Sequence, residues 1–484
     1  MTTGGVAVVS GNKTIDELIR LSGVAARVVR GDGSTRVTDV THDSRLVKSG
    51  SLFCCVRGGR FDGHRFAAEA VSSGAVALVV EEVIDGVDER TAQIEVDDSR
   101  SAMGPLASAF HGFPSRHLAV VGVTGTNGKT TTCHLISAVL RHAGMSTETL
   151  GTLDGRFTTQ EATDLQRELA AFVAGGVRAV VMEVSSHALQ LQRVAGTSFA
   201  AAVFTNLSQD HLDFHGDMES YFAAKARLFT ADFTPVGVIN ADDEYGRRLL
   251  DSSSVRSVGY SSADVSNVVT TPVDVAFDWR GRRVTLAMGG GVNVLNALAA
   301  ATTCRELGID EATIVEGLAT APQVRGRYEQ VEIGAGFVVI VDYAHTPDGL
   351  SRLLESLRET QTAGRILVVF GCGGDRDAAK RPLMGAIATM GADAVFVTSD
   401  NPRSEDPHSI IEAIVAGVPL SQRGKIALVD TDRRRAIHAA LESARDGDVV
   451  VVAGKGHEVT QTIGSEVLPF DDRLVVREWK EGAQ

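Results

Sequence analysis

An α/β protein of about three domains is predicted by three features of the chain. Its 484 residues exceed what one core fills, since a domain usually holds roughly 100–200 residues. Short β-branched apolar runs alternate with Gly-rich or polar turns and with stretches of helical periodicity, the pattern of parallel sheets joined by crossover helices. Most of those apolar runs, finally, end in a cluster of polar residues.

Composition narrows the class. Hydrophobic residues at 44% and charged residues at 22% fit a folded globular chain and exclude wholesale disorder or a fibrous repeat. No apolar run approaches the ~18 residues of a membrane span, so no membrane insertion is expected. The start, Met1 to Gly5, lacks the basic stretch of a secretory signal. Five Cys without CxxC spacing argue against a disulfide framework or zinc site. The expectation is a cytoplasmic monomer. Lys and Arg total 47 against 61 Asp and Glu, a net charge of −14, which disfavours nucleic acid and anionic membranes and favours a small-molecule partner.

The elements follow in order. Residues 1–112 carry short strands, a Gly-rich stretch at Gly58 and Gly59, and the apolar run Ala75 to Val80, which together read as a small N-terminal α/β domain. Phe113 and Pro114 read as a linker. Residues 113–327 form the central unit, with strand runs at 117–123, 180–182, 202–204 and 236–239, and an antiparallel region within 263–292. From 328 to 484 a third set follows, at 337–341, 366–370, 394–397, 426–429 and 449–453.

The sharpest motif spans Thr124 to Thr131, between the strand run at 117–123 and the helical pattern His134 to Arg141. A Gly-rich turn there lets backbone N–H groups approach phosphate oxygens, while Lys129 neutralises charge and the Thr130 hydroxyl can reach Mg²⁺. The match to GxxxxGK[ST] is imperfect, because Val123 stands at its first Gly. The central domain is therefore expected to be P-loop ATPase-like. Glu183 ends a buried strand run, where an acid is costly unless paired or metal-bound. Beside a phosphate loop it suits Mg²⁺; taken alone it is as readily an ion-pair member. The polar segment 205–217 offers Asp210 and His211 as nucleotide or metal contacts. Lys225, in the helical stretch after it, reads from composition alone as a solvated lysine. In the third domain four strand runs end in Asp342 to His345, Gly371 to Asp377, Asp400 to Arg403, and Gly454 to Glu458. Ligands of open parallel sheets bind outside the carboxyl ends of the strands, so this Rossmann-like domain is expected to hold a site there.

With these residues in view, the chain resembles the Mur ligase family of peptidoglycan synthesis, and within it the type that adds the third stem-peptide residue. The likeness runs in order through Asp43 to Arg45, Asp62 to His64, Gly125 to Thr131, Glu183 to His187, Asp210 to Lys225, Asn293 to Asn296, Arg325 to Arg327, Asp342 to Pro347, and the three later clusters. It implies an ATP-dependent ligase that activates UDP-N-acetylmuramoyl-L-alanyl-D-glutamate as an acyl phosphate for attack by an amino acid. Lys129, Glu183, His211 and Lys225 are the implied catalytic residues. Gly125, Thr126, Asn127, Gly128, Lys129, Thr130, Thr131, Asn296, Arg327 and Asp342 are the implied ATP contacts; Asn293 also reads as a helix-start residue. Mg²⁺ is implied on Thr130, Glu183, His211 and Lys225, the last as a carbamate, which reverses the solvated reading of that lysine.

For the UDP substrate the resemblance points to Ser44, Gly59, Arg60, Phe61, Thr158, Thr159, Ser185 and Arg193. The chain departs from the pattern there, with Phe157 where an Asn often stands, Gln160 in place of a common Pro, and Leu191 where some relatives have Gln. The incoming amino acid is assigned to Arg376, Asp400, Asn401, Pro402, Arg403, Gly454 and Glu458. Arg403 presents a bidentate cation that suits the second carboxylate of meso-2,6-diaminopimelate. The rivals are the same reaction with L-lysine, and a folate-type polyglutamate ligase, against which the paired clusters at 400–403 and 454–458 argue.

Overall fold

The computed structural model describes residues 12–59, 61–153, 157–360 and 364–482. Three sheets organise it, each with its own core. The first runs in the order Ala26–Arg30, Ala92–Val96, Ala75–Val80, Ser51–Cys54 and Asp39–Thr41, parallel except for the first strand. Helices Ile15–Ser22 and Ser99–Phe110 cover one face and helix Ala67–Ser72 the other.

The junction at Phe113 is a packed corner. Phe113 adopts a left-handed φ of 59° and Pro114 opens a 3₁₀ turn. Pro114 and Ser115 are buried, and Ser115 Oγ accepts from Ser198 N at 3.0 Å. The expected linker is thus pinned to the central unit.

The central sheet is all parallel, in the order Arg256–Tyr260, Val236–Asn240, Ala201–Phe204, Ala119–Thr124, Ala179–Glu183 and Thr147–Leu150. Its four inner strands are buried on both faces, so they read as continuous apolar runs rather than as alternation; the edge strands Arg256–Tyr260 and Thr147–Leu150 are partly exposed. Val121, Val123, Val181 and Val203 face helices Lys129–His142 and Val292–Glu306, while Val120, Val180 and Phe204 face the opposite layer. Small residues, Ala297 and Ala299 to Ala301, let helix Val292–Glu306 come close to the helix that follows the phosphate loop. The antiparallel region appears as Val265–Thr270, Val275–Trp279 and Arg282–Leu286, with Phe277 and Trp279 added to the same core.

The third sheet runs Glu329–Gln330, Val338–Asp342, Val449–Ala453, Ile366–Phe370, Ala394–Val397 and Ile426–Val429, parallel except for its first short strand. All four polar clusters therefore leave the sheet at one edge, as expected.

Candidate active site

The first strand of the central unit, Ala119–Thr124, lies between strands ending at Phe204 and Glu183. Residues 125–128 turn from it into helix Lys129–His142. The neighbouring strand end pins that turn. Thr205 Oγ1 donates to Asn127 O at 2.6 Å, Asn127 N to Asn206 Oδ1 at 2.9 Å, and Thr126 N to Asn206 O at 2.9 Å. Gly128, at φ 83°, is needed twice over: its conformation is left-handed, and an added Cβ would lie 2.5 Å from Asn296 Oδ1. Lys129 Nζ donates to the carbonyls of Gly125 and Thr126 at 3.0 and 2.9 Å, so its charge caps the turn. Burial lowers its pKa while Glu183 opposes the shift.

Glu183 is buried and accepts from Thr130 Oγ1 and from Thr152 N, each at 2.9 Å. A buried carboxylate and a hydroxyl are hard oxygen donors of the kind Mg²⁺ takes. Among the described residues no cluster of three His, Cys, Asp or Glu could hold an ion unaided. That donor set fits Mg²⁺ arriving with a triphosphate and water, because Mg²⁺ is usually held by one or two carboxylates plus substrate phosphates.

Lys225 overturns the solvated reading of its residue type. It is 1% exposed, its Nζ donates to Gly125 O at 2.9 Å and lies 4.7 Å from the Tyr221 ring. Burial first, then the charge of Lys129, push its pKa well below the ordinary lysine value. His211 takes a left-handed φ of 53° ahead of helix Leu212–His215, with Asp210 at 3.4 Å. Its ring meets His187 edge-on at 4.8 Å, and His187 stacks on Phe214 at 4.1 Å. Burial lowers the pKa of His211.

A cavity of about 350 Å³ opens over this loop, between the second and third units. Residues 126–131, Glu183, Asn296, Arg327 and Asp342 line it, as do His211 and His345. The Arg327 guanidinium stacks over Tyr343 at 4.4 Å, and its Nε is buried without a partner. Asp342 accepts from Tyr328 N and Ala344 N at 2.6 and 2.8 Å, while burial raises its pKa. Asn293 sits in the first turn of its helix and accepts from Asn296 at 2.9 Å. Sequence reasoning missed Asp348, which crosses between units to accept from Asn127 Nδ2 at 2.8 Å and Ser208 Oγ at 2.7 Å. It also did not single out Asn206, although the polar stretch after the strand run at 202–204 signalled it.

The residues carried over for the UDP substrate fall into two groups. Thr158, Thr159, Ser185 and Arg193 gather beside Glu183. Thr159 Oγ1 donates to Glu183 O at 3.0 Å and accepts from Ser185 N, and Arg193 Nη1 donates to Thr159 O at 3.1 Å. Phe157, 53% exposed, lies 5.4 Å from the Arg193 guanidinium. Ser44, Gly59 and Phe61 belong to the first unit, Phe61 being 69% exposed. Arg60 lies outside the described residues.

The third unit brings most of the remaining residues together. Glu458 Oε2 accepts from Asn401 Nδ2 at 2.8 Å and from the buried Lys455 Nζ at 2.9 Å. Gly454, at φ 111°, leaves room for Asp400, whose Oδ2 would lie 2.7 Å from a Cβ there. Arg403 has a left-handed φ of 53°, donates from its backbone to Thr462 O and from Nη1 to Gly374 O, the latter at 2.7 Å. Pro402 precedes it at the turn. Arg376 is exposed, with Nη1 on Asp375 O at 3.2 Å, and its stem shares the space beside Gly373 with Arg403 Nη1.

Residues 36–111 match the Mur ligase family catalytic domain, 123–304 the Mur ligase middle domain, and 326–456 the Mur ligase glutamate ligase domain. A relative from Syntrophomonas wolfei, named UDP-N-acetylmuramoyl-L-alanyl-D-glutamate--2,6-diaminopimelate ligase, is 43% identical over 92% of this chain and 95% of its own. A Gloeobacter violaceus protein of the same name is 46% identical over 91% and 93%. A solved structure titled with that ligase name is 30% identical, covers 98% of this chain and 99% of that one, and has a TM-score of 0.69. The Mycobacterium tuberculosis folylpolyglutamate synthase is 19% identical over 74% of this chain and 92% of its own, with a TM-score of 0.60, a likeness of fold.

Proposed function

The chain belongs to the Mur ligase family, and from that membership and its site we infer an ATP-dependent ligase. It joins 2,6-diaminopimelate to UDP-N-acetylmuramoyl-L-alanyl-D-glutamate in peptidoglycan precursor synthesis. The observation that carries the site reading is the shared cavity. The phosphate loop of the second unit faces residues 342–353 of the third across about 350 Å³.

The domains we assign are 1–112 for the uridine end, 113–327 for ATP and 328–484 for the amino acid. The reaction brings a carboxylate to a triphosphate, anion against anion, so the chain's work is positioning and charge stabilisation. Loop N–H groups at 125–131 and the start of helix Lys129–His142 cradle the phosphates. Lys129, which caps its own loop carbonyls here, turns to the phosphates when they arrive. Thr130 and Glu183 would hold Mg²⁺, which when bound neutralises phosphate charge. Asn296, Arg327 and Asp342 contact the base and ribose, and Arg327 has an unpartnered Nε to offer. Thr158, Thr159, Ser185 and Arg193 hold the peptide end of the UDP substrate beside Glu183. Ser44, Gly59, Arg60 and Phe61 take its uridine end.

Lys225 is the residue to be carbamylated. Carbamylation needs a neutral amine, and burial beside Lys129 favours it by lowering the Lys225 pKa. The carbamate would stand with His211 as a second oxygen and nitrogen donor pair. The acceptor amine is meso-diaminopimelate, held by Asp400, Asn401, Pro402, Arg403, Gly454 and Glu458, with Arg376 at the rim. Its far carboxylate meets Arg403, and L-lysine would leave that guanidinium without its partner. The protein works as a cytoplasmic monomer. Phosphate release that requires both the UDP-dipeptide and the amino acid is the expected behaviour; ATP turnover independent of either would point to a switch or motor.

A further inference from the structure

Beneath the amino-acid pocket lies an ion pair that none of the foregoing chemistry uses. Arg433 and Asp472 both have side chains 0% exposed, joined at 2.8 Å (Nε to Oδ1) and 2.7 Å (Nη2 to Oδ2). The same guanidinium donates to two backbone carbonyls, Ala453 O at 2.9 Å and Ser399 O at 3.3 Å. Those residues directly precede Gly454 and Asp400. Ala453 ends strand Val449–Ala453 and Ser399 lies two residues past the end of strand Ala394–Val397; the two strands are not neighbours in the sheet, since Ile366–Phe370 lies between them.

Neither stability nor helix formation explains this arrangement. A buried pair is often no more stabilising than apolar residues of the same volume. Arg433 opens helix Arg433–Ser443, the end where the helix dipole disfavours a cation. An Arg is nevertheless what the geometry requires, because only a planar fork can hold a carboxylate and two carbonyls at once.

We infer that Arg433, fixed by Asp472, is a positioning residue that sets the spacing of the strand ends carrying Asp400 and Gly454, and through it the affinity for the incoming amino acid. The inference rests on reading residues 400–403 and 454–458 as the amino-acid pocket. Arg433 also offsets charge there: burial raises the Asp400 pKa, and the Arg433 cation opposes the shift.

The test is steady-state kinetics on four proteins: wild type, the double variant Arg433→Met with Asp472→Leu, Arg433→Lys, and Arg403→Ala. The double variant removes both charges together and so leaves no orphan ion. Its KM for diaminopimelate is expected to rise about tenfold, as small displacements of positioning groups do. Its KM values for ATP and for the UDP-dipeptide should stay within about twofold, as for sites without shared partners. Wild-type diaminopimelate KM, or a parallel rise in all three, would overturn the inference. Should the double variant fail to fold, Arg433→Lys decides. Its ammonium can face Asp472 but cannot span both carbonyls, so a selective rise in diaminopimelate KM is again expected and its absence is contrary. If Arg403→Ala leaves that KM unchanged, the pocket lies elsewhere and the premise falls. If Arg403→Ala raises it and the Arg433 variants do not, the positioning role alone falls.

Discussion

At Lys225 an amine is held out of water beside a second amine, with one backbone carbonyl as its acceptor. Such a group is costly as a cation, and burial drives its pKa down, as the proposed carbamylation requires. Lys225→Ala is expected to lower kcat by about a hundredfold or more, and added formate or acetate should restore part of it. Full activity of the Ala variant without added acid would contradict the role. Arg403→Ala, which deletes the cation proposed to meet the far carboxylate, should raise diaminopimelate KM by about a hundredfold while leaving ATP KM near wild type. Placement around the phosphate loop was legible in the sequence where type and position coincide, as at Lys129, Thr130 and Glu183, which line one cavity. It was illegible where burial decides. Nothing around Lys225 separates a core lysine from a surface one except resemblance, and Arg433 stands among three consecutive arginines of which it alone is fully buried.

The phosphate loop depends on its neighbours as an element. The strand end at Thr205 and Asn206 bonds the loop at three points, and helix Val292–Glu306 closes on it through Asn296. Asn206→Ala is therefore expected to raise ATP KM about tenfold with diaminopimelate KM unchanged, as steady-state kinetics would show. Gly128→Ala should act the same way and more severely, because the added Cβ meets both a left-handed φ and the Asn296 side chain. The inner strands were readable from short Val, Ile and Ala runs, since parallel strands covered on both faces have no polar side to break them; the polar, partly exposed edge strands Thr147–Leu150 and Arg256–Tyr260 were not anticipated. What the sequence could not show is the order of strands. That order places Ala119–Thr124 between Phe204 and Glu183 and so brings loop, carboxylate and pinning residues together. The stretch at Phe113 and Pro114 was expected to be a linker, yet Pro114 and Ser115 are buried there, and Ser198 N donates to Ser115 Oγ across more than eighty positions.

Over the whole molecule, a net charge of −14 gives no general attraction for substrates that are all anionic. On the proposed site, binding would come from focused positive features: the loop N–H groups, Lys129, Arg403 and Mg²⁺. High salt should thus weaken ATP binding less than it would for a basic protein. Acid stability is also a global property. Burial brings His111, His187, His345 and His457, spread over all three units, from 6.5 to about 4. Between those values the unfolded chain binds protons that the folded chain does not, so stability falls as pH drops through that window. Urea midpoints at about pH 5.5 should lie below those at about pH 7.5; equal midpoints would contradict the burial of these rings. The purified protein, offered the UDP-dipeptide, ATP, Mg²⁺ and equal concentrations of meso-diaminopimelate and L-lysine, reveals its amino-acid choice when the products are weighed by mass spectrometry. The expected result is a diaminopimelate-containing tripeptide, one phosphate released per amide formed, and little lysine product. Faster incorporation of lysine, or phosphate release without any new amide, would contradict it.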